Sequence, residues 1–268
     1  MGPRQLLEAF LTPPKVRELS REESLLARSK MSSVRLEGSG FARGGGDEIW
    51  IYRWGQGPPV LLVHGWGSRA AHFETLIVAL EERGFQAVGF DAPGHGRSGG
   101  TLCSAPAVAA AIREVAAQEG SFKAVVAHSL GAVATALELD RSLEAGRTVL
   151  LASCCWVEPL AVAFARDHNA SEEMVKEMLS FAHAEFRPEE ASAEVSAPAL
   201  GHIPSLLIHD PNDPEMPYQH SIALAAAWPG AALVDILGVG HRRILRARDV
   251  VARTMQHIMG CGSPSNDA

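Results

Sequence analysis

Residues 124–132 read Ala-Val-Val-Ala-His-Ser-Leu-Gly-Ala. A short apolar run, Ala124 to Ala127, leads into a tight turn at Ser129, and a helix-like segment, Leu130 to Glu138, follows. Small residues, Ala127 and Gly131, stand two positions either side of the serine, where bulk would clash in so sharp a turn. A strand–turn–helix of this kind lifts the serine hydroxyl out of a sheet and turns the helix N-terminal N–H groups toward it. Ser129 is therefore a candidate nucleophile, provided that a base and an acid are supplied elsewhere in the chain.

Both follow downstream. Leu206 to Asp210 reads as a buried strand that runs into a Pro/Asp-rich loop, Pro211 to Pro217. The apolar stretch Ala232 to Leu237 precedes Gly238-Val239-Gly240-His241. The chain order is thus serine, acid, histidine, each just past an expected strand, unlike the orders of chymotrypsin and subtilisin. A free serine hydroxyl is a poor nucleophile, so it needs a base, and His241 is the candidate. A carboxylate on the other ring nitrogen would fix the tautomer and stabilise the imidazolium. Asp213 is favoured for that role, because a residue a few positions into the loop reaches a histidine from the next loop. Asp210, at the strand end, is the alternative acid, or else a loop-capping residue that bonds backbone N–H groups. In an open parallel sheet these positions share the carboxyl end of the strands, so they converge although far apart in sequence.

An oxyanion needs two donors. The N–H of Leu130, directly after the serine, is one. The second is expected from the loop after the strand Pro59 to Val63, which reads His64-Gly65-Trp66-Gly67-Ser68, with the Trp66 N–H as donor. Loop packing is the reading for the His64 side chain. Asp91-Ala92-Pro93-Gly94-His95-Gly96-Arg97-Ser98 is a further marker, in which Asp91 and Arg97 are expected to fix loop geometry. His128 is expected to pack under the turn. No Gly-rich pattern has the Lys-Ser, Lys-Thr or βαβ context of a phosphate cradle. His209, His220 and His257 lack metal-ligand spacing, and Arg242 and Arg243 are expected to be solvated or ion-paired.

Strand and helix patterns alternate along the rest of the chain, as in a parallel sheet covered on both faces. Strands are expected at Ser33 to Leu36, Glu48 to Trp54, Pro59 to Val63, Ala87 to Phe90, Arg147 to Ala152, 205–209 and 232–237. A Gly-rich turn, Gly44 to Asp47, would join the first two. Helices are expected at Ala70 to Arg83, 104–118, 219–227 and 244–259. Between Trp156 and Ala199 the alternation lapses into helical segments, Pro159 to Arg166 and Ser171 to Ala184. The expected organisation is an N-terminal arm at 1–30, packed or mobile, a core at 31–155 and 200–268, and a helical lid at 156–199.

The composition bounds the function further. The 268 residues allow one large domain with an insertion, or at most two small domains, and 47% hydrophobic with 21% charged residues describe an ordinary globular protein. A net charge of −7 without a dense Lys/Arg block argues against a nucleic-acid partner. Cys103, Cys154, Cys155 and Cys261 show no metal-type spacing and are read as free thiols. The N-terminus has no signal-peptide pattern and no stretch approaches a membrane span, so a cytoplasmic location is expected.

Together, His64-Gly65, the Asp91 to Ser98 block, Ser129, Asp213 and Gly240-His241 resemble the α/β-hydrolase superfamily, from roughly residue 48 to the end. Ala127 in place of the usual Gly is the departure. The resemblance implies an α/β fold, with a mostly parallel central sheet, helices on both faces and a small helical lid inserted after the sixth strand. It implies a serine hydrolase that cleaves a small-to-medium carboxylic ester through an acyl-enzyme on Ser129, without metal or organic cofactor. Trp66, Trp156, Phe164 and Met178 are the candidate pocket residues. The expected partner is a small-molecule acyl substrate, with a homodimer left open. Three alternatives stand beside this reading: a thioesterase or C–C bond hydrolase with the same triad, a perhydrolase or acyltransferase, and a catalytically vestigial binding protein.

Overall fold

The computed structural model describes residues 1–36, 48–185 and 192–260. Eight strands follow one another as β1 (Lys30–Arg35), β2 (Glu48–Trp54), β3 (Pro59–Val63), β4 (Gln86–Phe90), β5 (Ala124–His128), β6 (Thr148–Leu151), β7 (Ser205–His209) and β8 (Ala232–Asp235). They form one sheet in the order β1-β2-β4-β3-β5-β6-β7-β8. β2 runs antiparallel to both β1 and β4, and every other pairing is parallel. The helices, in chain order, are α1 (Pro3–Phe10), α2 (Ser20–Ala27), α3 (Glu74–Glu81), α4 (Ala105–Glu119), α5 (Leu130–Leu139), α6 (Glu158–Asp167), α7 (Glu172–Glu185), α8 (Ala193–Ser196), α9 (Gln219–Ala227), α10 (Gly240–Arg243) and α11 (Arg248–Met259).

The central strands are apolar without a break because helices cover both faces. Successive side chains still alternate between two cores. Leu61, Val63, Val125, Ala127, Leu150 and Leu207 enter one cluster with α4, α5 and α9. Val60, Leu62, Val126, Val149, Leu206 and Ile208 enter the other with α2, α3 and α11. The largest buried side chains carry their polar atoms to partners: Trp54 Nε1 donates to the Leu25 carbonyl at 2.8 Å, and Trp228 Nε1 to the Leu200 carbonyl at 3.0 Å. Burial of an indole therefore brings its apolar area without an unsatisfied donor.

The chain between β6 and β7 is helical, and a third apolar cluster joins it to the N-terminus. Leu6, Leu7 and Leu11 pack with Ala161 and Ala165 of α6 and with Val175 and Met178 of α7. The first 30 residues, grouped by sequence as one arm, thus divide. α1 joins the helical insertion, whereas Leu25 and Leu26 of α2 belong to the core beneath the sheet.

Element boundaries differ from the sequence reading at a few places. β8 ends at Asp235, because β7 ends at the pair His209↔Asp235 and supplies no partner beyond it. The helix expected over 244–259 starts at Arg248, preceded by an extended Ala247 with ψ 128° and by the short α10. The Gly44 to Asp47 turn and Cys261 lie outside the described residues.

Candidate active site

The turn after β5 holds Ser129 at φ 52°, ψ −121°, a conformation that L-residues seldom adopt. Such backbone strain costs about 1–3 kcal/mol and persists only where the surroundings impose it. Here the Ser129 N–H donates to the Leu151 carbonyl at 3.0 Å, and the Ser129 carbonyl accepts from Ala132 and Cys154 at 2.9 and 3.2 Å. Glycine is required two residues on, since a Cβ on Gly131 would stand 2.7 Å from the Val63 carbonyl oxygen. Ala127 is fully buried in the core beneath the turn. Leu130 opens α5, so its N–H has no acceptor within the helix.

The loops after β7 and β8 bring a carboxylate and an imidazole together. His241 Nδ1 donates to Asp213 Oδ2 at 2.8 Å. Asp213 Oδ1 accepts the N–H groups of Glu215 and Met216 at 2.8 and 2.9 Å. Burial pushes the Asp213 carboxyl up, but the His241 and backbone hydrogen bonds outweigh it and hold the group below the ordinary carboxylate range. Asp210 does something different: its carboxylate accepts the N–H of Gly240 at 2.7 Å and of Asn212 at 3.0 Å. It ties the loop that carries His241 to the end of β7. His209, wholly buried, supports the Asp213 loop, with one ring nitrogen 3.1 Å from the Met216 carbonyl and the other 2.6 Å from Ser221 Oγ of α9.

His128 lies beneath His241, with ring centroids 4.7 Å apart. Its Nε2 donates to the His241 carbonyl at 2.9 Å. Burial, and then the neighbouring His241, lower its pKa to about 3, so the ring is neutral at neutral pH.

The loop that carries Trp66 is fastened to the loop after β4 by two further histidines. His64 Nε2 accepts the Ala92 N–H at 2.9 Å, and its Nδ1 lies 2.8 Å from the Gly65 carbonyl. His95 Nε2 accepts the Gly67 N–H at 3.0 Å, and its Nδ1 lies 2.9 Å from the Pro93 carbonyl. Each bond pattern fixes a neutral tautomer with the proton on Nδ1. Burial leads the causes that lower the pKa of His64 to about 4 and of His95 to about 3. Asp91 anchors the second loop: its carboxylate accepts from the Ala70 and Arg97 N–H groups and from the Tyr52 hydroxyl, all within 3.0 Å.

A cavity of about 430 Å³ opens over these loops, lined by Ser129, Leu130, Trp66 and His241. Phe164 and Met178 of the insertion also line it. Trp156, expected among the pocket residues, stands elsewhere: its ring packs 5.1 Å from that of His220, and its Nε1 donates to Glu194 at 2.7 Å. Its backbone forms an isolated antiparallel bridge with Ser192, just before α8. Arg242, at the cavity edge, makes a fork to the Glu215 carboxylate at 2.9–3.1 Å, and Arg243 donates to the Val239 and Gly238 carbonyls. Two contributions escaped the sequence reading. Leu7, Phe10 and Leu11 of the N-terminal segment line the cavity, and His95 joins the expected loop packing of His64 by accepting the Gly67 N–H of the Trp66 loop. The helical spacing of Leu6, Leu7, Phe10 and Leu11 signals an apolar helix face but not its partner.

Among the described residues, no group of three or more His, Cys, Asp or Glu side chains is arranged to hold a metal ion, and no helix is long and apolar enough to cross a membrane.

Comparison with known proteins agrees with this architecture. An esterase of Pyrococcus furiosus superposes with a TM-score of 0.68 over 93% of this chain and 97% of that chain, at 16% identity. Curated relatives match over short stretches only. A non-heme haloperoxidase of Rhodococcus erythropolis is 36% identical over 53 residues, 20% of this chain and 19% of that protein. A pimeloyl-[acyl-carrier protein] methyl ester esterase of Vibrio atlanticus is 33% identical over 108 residues, 40% of this chain and 41% of that protein. The chain therefore matches less than half the length of either relative. The model of the family Hydrolase_4, described as serine aminopeptidase, S33, matches residues 58–226, more than half of the chain. With that match and an eight-stranded, mostly parallel sheet, the chain belongs to this family of α/β-hydrolases.

Proposed function

We propose that the protein is a serine hydrolase that cleaves small-to-medium carboxylic esters through an acyl-enzyme on Ser129. The observation that carries this reading is the 2.8 Å His241–Asp213 pair, whose His241 lines one cavity with the strained Ser129 turn. With Nδ1 committed to Asp213, the His241 Nε2 is the nitrogen left to accept the Ser129 proton. The Ser129 oxygen attacks the ester carbonyl, and the oxyanion is held by the Leu130 and Trp66 N–H groups, each worth on the order of 3 kcal/mol in the transition state. His241 then returns the proton to the leaving alcohol. A water molecule, deprotonated by His241, attacks the acyl carbonyl and releases the acid. Asp213 stays ionised throughout and stabilises the imidazolium. The apolar lining favours an uncharged acyl chain. The helices between β6 and β7 serve as the lid. The methyl ester named for the Vibrio atlanticus relative supports the ester reading.

A fluorophosphonate probe and a ladder of p-nitrophenyl esters test the reading. Labelling of the wild type, its loss in Ser129→Ala and parallel loss of ester turnover are expected. Full esterase activity in Ser129→Ala, or no turnover at any chain length, would overturn it.

A further inference from the structure

α1 is amphipathic and turns its apolar face inward. Arg4, Gln5 and Glu8 are exposed, whereas Leu6 and Leu7 are buried against α6 and α7. Its far end is pinned to the core, because the Leu11 carbonyl accepts the Cys103 N–H at 2.8 Å. Between these anchors Phe10 is half-buried and reaches into the cavity above Ser129. Its ring stacks on Trp66, with centroids 6.4 Å apart and planes within 18°. On its other side it meets Phe164 of α6, with centroids 5.5 Å apart at 58°. Phe10 therefore bridges the loop that carries the second oxyanion donor and the helical insertion. Phe10 also borders the apolar cluster that α1 shares with α6 and α7. A role in packing α1 is already met by Leu6, Leu7 and Leu11, which are more than nine-tenths buried.

We propose that Phe10 closes the acyl-chain subsite and sets the chain length of the ester the enzyme takes. The proposal rests on the serine-hydrolase reading of the same cavity. The occupant is an unbranched apolar acyl chain, whose carbonyl lies at Ser129 and whose tail runs along Trp66 and Phe164 until it meets the Phe10 ring. Shortening this side chain lengthens the slot, and enlarging it shortens the slot. Each methylene that gains apolar wall raises kcat/KM about fourfold.

The test measures kcat/KM over p-nitrophenyl esters from acetate to dodecanoate in wild type, Phe10→Ala and Phe10→Trp. Phe10→Ala is expected to move the optimum at least two carbons longer, with about a 15-fold gain for the longer ester relative to the wild-type optimum. Phe10→Trp is expected to move it shorter. A common drop at every chain length in both variants would overturn the proposal, because a purely structural role acts that way. Phe10→Leu keeps α1 packed should Phe10→Ala fail to fold, and the same shift in smaller degree is expected. A response to alcohol length in a ladder of alkyl acetates, without one to acyl length, would also overturn it. A second readout separates this proposal from the serine-hydrolase reading. In Ser129→Ala, titration with hexanoate to dodecanoate followed by tryptophan fluorescence reports the slot without chemistry. Its chain-length preference is expected to move with Phe10. If it moves while the fluorophosphonate fails to label wild type, the hydrolase reading falls and the subsite stands. If labelling succeeds and neither ladder moves, the subsite falls alone.

Discussion

Lowering the pH from 7 toward 4 is expected to unfold this protein steeply, for a reason that lies at the candidate site. His64, His95 and His128 are each at most 4% exposed, and their pKa values are lowered to about 4, 3 and 3. In the unfolded chain each titrates near the ordinary value of about 6.5. The unfolded state therefore binds more protons between these limits, and stability rises with pH across that window. The contribution is fully present above about 6.5 and is lost as the pH falls toward the folded values. Near pH 5 the unfolded chain holds about three more protons on these rings, and each proton adds about 1.4 kcal/mol per pH unit, so the slope is about 4 kcal/mol per pH unit. A domain with a stability of about 5–15 kcal/mol is exhausted within a few pH units of such a slope.

Urea unfolding at closely spaced pH values, extrapolated to water, measures the slope directly. His95→Gln removes one titrating ring and is expected to cut it by about 1.4 kcal/mol per pH unit. A wild-type slope below that of a single proton, or no change in His95→Gln, would refute the reasoning. Because His64 and His95 fasten the Trp66 loop, its backbone is expected to loosen first, with hydrogen exchange at Gly67 and Ala92 rising before the rest of the sheet on acidification.

Three substitutions probe the parts of the site separately. Asp213→Asn keeps the shape but reverses the hydrogen-bond preference at His241, and kcat for ester hydrolysis is expected to fall about 10⁴-fold. Asp210→Asn leaves the His241–Asp213 pair intact but weakens the acceptor of the Gly240 N–H, so chemical denaturation is expected to report a stability loss of about 1.5–3 kcal/mol. Gly131→Ala drives a methyl to 2.7 Å from the Val63 carbonyl oxygen, and a loss of about 1–3 kcal/mol is expected in the same assay.

The fold was legible in the sequence because its signals are local. β2, β3, β7 and α9 occupy the ranges their patterns predict, and the turn at Ser129 announces itself through its small neighbours. Continuous apolar strands say that both faces are covered, and the sheet is covered on both. The choice between Asp213 and Asp210 rested on reach, a coarse argument, and the two carboxylates do divide between His241 and the Gly240 N–H. Trp156 shows where local reading ends. Its position after β6 suggests a pocket wall, but its orientation follows from His220 and Glu194, which lie 64 and 38 residues away.

The N-terminal helix carries the same lesson in the other direction. Leu6, Leu7, Phe10 and Leu11 describe an apolar stripe, and an eight-residue helix is too short to persist in water on its own. Such a helix must find a partner, and the periodicity does not name it. The partner is the surface of α6 and α7, more than 140 residues later in the chain. Neither side encodes the cavity alone: the insertion supplies Phe164 and Met178, the core supplies Ser129 and Trp66, and α1 supplies Phe10 between them. If specificity resides where these three segments meet, changes in acyl preference require compensating changes across all three. Phe10→Ala combined with Phe164→Ala is then expected to depart from the sum of the single effects on chain-length preference, because the two rings touch the same slot.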